Sequence, residues 1–187
     1  MLSFGLLASG FLTYSDTPQQ ADAVVLFVGP GFEERQQETC RLITEYHPNY
    51  LIIPAYNVVS DVDGKRISRI RRIKYSELAS FKARKTQYYE PWFEDTHVEV
   101  VETKRLMEER GVRSALFVSS PYHLRRIKLI SDHQFNTTQF SIRYVPTRTE
   151  AAALHPWHLN AAELRWQVSE FAKIAWYLLY KPFASAT

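Results

Sequence analysis

The sequence predicts an α/β domain built on a mostly parallel sheet, and three observations carry that prediction. Ala23–Val28, Tyr50–Ile53 and Ser114–Val118 are short, near-continuous apolar runs, the pattern of strands buried on both faces. Stretches of helical period separate them. Strand and helix alternate along the chain, which calls for right-handed crossovers and sets the strand C-terminal ends along one edge.

The elements follow in order. Ala23–Val28 is broken by Gly29-Pro30-Gly31, and a helix is expected from about Glu33 to Tyr46, with Cys40, Leu42 and Ile43 inward. Tyr50–Ile53 is a second strand, stopped by Pro54. Asp61-Val62-Asp63-Gly64 reads as a turn; it lacks the third acidic ligand and the distal glutamate of a calcium loop. From Lys65 to Lys85 the chain is strongly basic, with Ile67, Ile70 and Ile73 recurring every third residue. That pattern fits an amphipathic basic helix, either a solvated face or a docking surface for anionic membrane or an acidic partner.

Asp95 to Arg110 reads as a helix closed by Gly111. Thr96-His97-Val98-Glu99 has the spacing of a capping box, which would tie Thr96 and Glu99 to the helix start and leave Asp95 and His97 for chemistry. Ser114–Val118 runs straight into a helix over Pro121 to about Asp132, with Ser120 as N-cap and Pro121 at the first helical position. Phe140, Ile142 and Tyr144 alternate with polar residues, as in a strand with one drier face. The last helix places Leu164, Val168, Phe171, Ala175 and Leu178 on one stripe, the face expected to pack inward. Asn160 with Glu163 offers its N-terminal cap.

At 187 residues the chain fits one compact domain, read as residues 21–182 behind an apolar, uncharged lead-in of residues 1–20. That lead-in is too short to span a bilayer and lacks the basic start of a signal peptide. It reads as the end of a truncated anchor or as a segment packed on the domain. With one cysteine, Cys40, no intramolecular disulfide can form. The net charge of +3 creates no whole-molecule field for nucleic acid, and no nucleic-acid motif is present. The chain is expected in the cytoplasm, with membrane association and a periplasmic location both left open.

In open α/β sheets ligands bind beyond the strand C-terminal ends. Gly29–Arg35, the segment after Ile53, Ser119–Arg126 and Pro146–Glu150 should therefore converge, joined by the helix start at Thr96. Helix N-termini expose unpaired N–H groups and favour anions, and arginines add to this. Gly29 and Gly31 would let backbone approach the ligand, Arg35 and Arg126 would hold its anionic group, and Ser119 and Ser120 would donate hydrogen bonds. His123, kept neutral at a helix N-terminus and oriented by Asp95, would handle protons. His155 and His158 lack the supporting ligands of a metal site, and no Gly-x-Ser-x-Gly elbow surrounds Ser119 or Ser120.

Three stretches resemble the ElyC/SanA/YdcF family of bacterial domains. Ala21-Asp22-Ala23-Val24-Val25-Leu26 is similar to the family's opening strand, and Asp95-Thr96 with Glu99 to its Asp/Asn-Thr-x-x-Glu segment. Val118-Ser119-Ser120-Pro121-Tyr122-His123-Leu124-Arg125-Arg126 resembles its Val-Thr/Ser-Ser-x-Tyr-His-x-x-Arg turn. The resemblance implies a Rossmann-like three-layer sandwich with a polar cleft at the strand ends. It adds Tyr122, Thr96 and Glu99 to the ligand-binding candidates and suggests envelope-related metabolism. It names no cofactor; S-adenosylmethionine is a ligand of one branch of the family. Pro54-Ala55-Tyr56 stands where the family has Ser-Gly-Gly, and the Gly-Val-Pro before the acidic segment is missing. These departures weaken S-adenosylmethionine most. The expected ligand is a small phosphorylated or nucleotide-like metabolite.

Overall fold

Val24, Val25, Leu51, Ile52, Leu116 and Phe117 form the centre of a five-stranded sheet and are almost completely buried. The computed structural model describes residues 10–62, 79–148 and 161–184. The strands are β1 (Ala23–Leu26), β2 (Tyr50–Ile53), β3 (Val58–Asp61), β4 (Ser114–Ser119) and β5 (Ser141–Pro146), in the order β3-β2-β1-β4-β5. β2, β1, β4 and β5 are parallel, with Val25 opposite Ile52 on one side and Phe117 on the other. The helices are α1 (Phe32–Tyr46), α2 (Ala79–Tyr88), α3 (Asp95–Glu109), α4 (Pro121–Gln134) and α5 (Ala161–Tyr180). The step from β1 to β2 and the step from β4 to β5 run in opposite directions across the sheet, so right-handed crossovers put α1 on one face and α4 on the other. α3 packs on α4, and α5 covers α4 in turn. The result is a mixed α/β, Rossmann-like three-layer fold.

Several expectations are corrected. β3 was not expected: after the short 3-10 turn Pro54–Tyr56, Asn57 takes a left-handed conformation (φ 53°) and the chain returns antiparallel to β2. Asp61, read as the start of a turn, ends that strand. Of the basic 65–85 stretch, only residues from Ala79 on are described, and these form the start of α2. His155, His158 and Asn160 also lie outside the described residues.

Of the stripe expected to pack α5 inward, Val168 (60% exposed), Ala175 and Leu178 (44%) are turned outward, and Phe171 is half-buried against Phe11. The buried side is Gln167, Glu170, Ile174, Tyr177 and Tyr180. A polar helix face can be the inner one when its partners are polar, and here a buried arginine on α4 meets Glu170.

The lead-in is part of the packing from residue 10 on. Leu12 is fully buried, and Tyr14 meets Tyr144 edge-on at 5.6 Å between centroids. Asp16 runs along the outer edge of β5: its N–H donates to the Tyr144 carbonyl (2.8 Å), and its carboxylate accepts from the Tyr144 N–H (3.0 Å). That cover removes the simple alternation expected for this strand.

Candidate functional site

The strand order turns back between β1 and β4, and there a cleft of about 470 Å³ opens beyond their C-terminal ends. Three helix starts meet at it. Gly29 and Pro30 lie just before α1, Glu94, Asp95 and Thr96 open α3, and Tyr122 and His123 lie in the first turn of α4. Each brings the positive end of a helix dipole to the cleft. The opposite wall is α5, which supplies Arg165, Trp166, Ser169, Glu170 and Lys173. Lys82 on α2 adds another cation.

The predicted residues do converge, but several have different tasks. Ser120 is the N-cap of α4 by position, with Pro121 following, yet its side chain makes no capping bond. Its Oγ accepts from Arg35 Nε (3.2 Å) and Nη2 (2.9 Å), while Arg35 Nη1 donates to the Phe27 carbonyl (3.1 Å). Arg35, 1% exposed, thus clamps β1 to the β4–α4 turn. Its guanidinium fills the space over Gly29, where a Cβ would stand 2.7 Å from Nη1 and where φ is 154°. Gly29 makes room for Arg35 as well as lining the cleft. Gly31, in the left-handed region (φ 72°), is the N-cap of α1 and not a wall of the cleft. Ser119 and Ser120 are fully buried behind the cleft, and Ser119 holds the histidine in place.

The capping box does not form. α3 begins two residues earlier than that spacing implies, at Asp95 with Glu94 as N-cap. Thr96 and Glu99 are thereby released: Thr96 Oγ1 lies 3.0 Å from His123 Nε2, and Glu99 Oε1 accepts from the Val28 N–H at 3.1 Å. Asp95 does not orient His123. Its side chain is 60% exposed and pairs with Lys85 at 2.5 Å. The two ring nitrogens of His123 instead meet hydroxyls, Thr96 at Nε2 and Ser119 Oγ at Nδ1 (3.0 Å).

Arg126 is also committed internally. Nε and Nη2 donate to the two oxygens of Glu170 (2.7 and 3.0 Å), and Nη1 donates to Glu94 and to Thr96 Oγ1 (2.7 Å). The forked contact with Glu170 uses the planar geometry of the guanidinium. Arg126 therefore organises the wall of the cleft, and the cations that face an anion there are Lys82, Arg165 and Lys173, the last also 3.4 Å from Glu170.

The electrostatics separate two proton-carrying groups. Burial, reinforced by Arg126 and Arg35, holds His123 well below the ordinary histidine pKa, so the ring is neutral. Burial pushes Glu99 up to about 8, against the opposing pull of the Val28 amide and Arg35. At neutral pH the cleft therefore holds a neutral imidazole and a protonated carboxyl. Glu94 is also raised by burial, opposed by Arg126. Among the described residues, no group of three or more His, Cys, Asp and Glu residues could hold a metal ion.

No family model, curated protein or solved structure matches this chain. The geometry must carry the functional reading.

Sequence reasoning missed the contribution of α5. Nothing local links Glu170 to Arg126, 44 residues away, and the inward face of α5 is too polar to announce itself by hydrophobic period. Arg165, Ser169 and Lys173 do share a spacing of four, which is the one signal that could have found this wall.

Proposed function

We propose that this chain is a YdcF-like domain that binds or processes a small phosphorylated or nucleotide-like metabolite, in envelope-related metabolism of a bacterium. The observation that carries the reading is the convergence of three helix N-termini with Lys82, Arg165 and Lys173 on one cleft at the turn-back of the strand order. Helix dipoles and these cations act together on an oxyanion. Trp166, with Tyr122 edge-on to it at 5.8 Å, offers an aromatic wall for the rest of the ligand.

In this reading His123 is the proton acceptor and Glu99 the proton donor. Thr96 stands next to His123 and three residues before Glu99 on the same helix. Its hydroxyl receives an N–H from Arg126 and faces His123, so it can relay a proton toward the ring. Ser119 orients the ring from the other side. The altered loop at Pro54-Ala55-Tyr56 supports a ligand other than S-adenosylmethionine: Ala55 is buried there, and its carbonyl accepts from Arg84 at 2.8 Å.

The test is isothermal calorimetry and thermal unfolding with inorganic pyrophosphate, nucleoside diphosphates and sugar phosphates. A member of one of these classes should stabilise the protein, by about 2.7 kcal/mol at a hundred times Kd. The doubly substituted Arg165→Ala/Lys173→Ala protein should lose that gain. Binding that survives the double substitution, or no binding in any class, overturns the reading.

A further inference from the structure

We propose that the outward face of α5 docks on an anionic lipid surface. That face adjoins the cleft wall and shares Arg165 and Lys173 with it, while the apolar residues of the face do not line the cleft.

Val168, Ala172, Ala175 and Leu179 succeed one another at helical spacing on the side of α5 opposite its buried residues. Trp176, Leu178 and Phe183 widen the stripe, and it is open to solvent: Leu179 is 68% exposed and Phe183 80%. A helix whose outer side is apolar and whose inner side carries Gln167 and Glu170 reverses the usual arrangement.

Charge identifies the occupant. From Arg165 to Lys181 the one acidic residue is Glu170, which is buried and held by Arg126. Arg165 lies near the start of the stripe, Lys181 just past the end of the helix and Lys173 on the cleft side, 3.4 Å from Glu170, with no exposed acid between them. An apolar stripe with basic flanks is the pattern of a helix lying in a membrane interface. Trp176 adds an indole at the boundary, its Nε1 donating to the Trp92 carbonyl (3.0 Å). The uncharged lead-in meets the same helix, because Phe11 stacks on Phe171 at 5.9 Å. A second copy of the chain is the poorer fit, since a two-fold contact through the stripe would bring identical basic flanks together. Arg165, Glu170 and Lys173 prevent α5 from spanning, and no helix among the described residues is long and apolar enough to cross a membrane. The helix would lie in the interface with its core-facing side still on α4.

The experiment is co-sedimentation of the full chain with vesicles of phosphatidylcholine and with vesicles containing about one-third phosphatidylglycerol. The expected result is binding at least about tenfold tighter to the anionic vesicles, weakened by added salt. Leu179→Glu with Phe183→Glu should reduce it by about tenfold or more, with an unchanged thermal midpoint because both side chains are exposed. Equal binding to both vesicles, no binding, or a variant that binds like wild type overturns the proposal. So does a dimer in light scattering that the variant abolishes while vesicles stay unbound, which would give the stripe to a second copy.

Discussion

His97 and His123 are both buried and both held neutral, yet they occupy opposite kinds of surroundings. His97 sits in an aromatic box, stacked on Phe93 (4.6 Å) and Tyr180 (5.7 Å) with Tyr177 edge-on. Gln134 Nε2 lies 3.1 Å from its Nε2, and an amide nitrogen only donates. Nε2 must accept, so Nδ1 carries the proton toward the Tyr180 hydroxyl at 3.1 Å. With the Gln134 amide in this orientation, one tautomer satisfies both contacts. His123 lies between two hydroxyls, and a hydroxyl can donate or accept. Its tautomer can change without breaking either contact, and it faces a cleft. Burial and a lowered pKa therefore do not by themselves mark a functional histidine; the freedom of its partners does.

The substitution expected to do most damage is Arg126→Met, because it reaches both histidines. Arg126 holds Thr96 beside His123, and it holds Glu94, whose N–H donates to Tyr180 next to His97 (3.3 Å). Its loss leaves two buried carboxylates facing each other, and urea unfolding should show about 3–5 kcal/mol less stability. A smaller loss, with the tautomer contrast unchanged, would show that the two surroundings are independent.

The comparison is sharpened by truncating each ring. His97→Ala should cost about 2–4 kcal/mol through the cavity left among aromatic rings, with pyrophosphate affinity altered less than about twofold. His123→Ala should instead weaken pyrophosphate binding by about tenfold or more, because two buried hydroxyls lose their partner. Calorimetry and unfolding on the same two proteins decide the matter. If His97→Ala costs more affinity than His123→Ala, the assignment of roles is wrong.

The two histidines also shape stability against pH. His97 is pushed down to about 4 from its ordinary 6.5, and His123 lies well below 6.5. Between about 4 and 6.5 the unfolded chain binds more protons at both positions, so stability falls as pH drops through that window. Glu99 works the other way: raised from 4.5 to about 8, it keeps its proton in the folded state and removes stability as pH rises toward 8. The two histidines outweigh one glutamate below 6.5 and leave it alone above, so the thermal midpoint should peak near 6.5. Glu99→Gln should abolish the alkaline fall, and His97→Phe, which leaves one histidine against one glutamate, should nearly flatten the profile between about 4.5 and 6.5. A midpoint flat from acid to alkaline pH would contradict both assignments.

The smallest expected effect is at the loop. Gly29→Ala forces a Cβ against Arg35 and should cost about 1–3 kcal/mol in urea unfolding, without touching either histidine.

Much of the fold is readable because its signals are local. Val24 and Val25, Ile52 and Ile53, and Leu116 and Phe117 announce the buried strands, and Ser120-Pro121 marks a helix start to the residue. The site was half readable for the same reason: the sheet edge gathers Gly29, Thr96, Glu99, Tyr122 and His123 as topology requires. What failed was the assignment of partners. Thr96-x-x-Glu99 has the spacing of a cap, and a shift of two residues in the helix start turned both side chains toward the cleft. Arg126 looked available because its two carboxylates come from Glu94 and from Glu170, far apart in the chain. The stripe on α5 was sound as a period and wrong as a direction, since periodicity shows which residues share a face and not which way that face turns.

Asp16 also serves as a guard. Its amide and its carboxylate occupy the Tyr144 carbonyl and amide on the outermost strand, β5. Such a border is where one sheet can recruit a strand from another molecule. A chain shortened to begin at Gln19 would keep every residue of the sheet and lose the stopper at its rim. Its failure would show first as turbidity at high concentration, while the monomer still unfolded as a single unit.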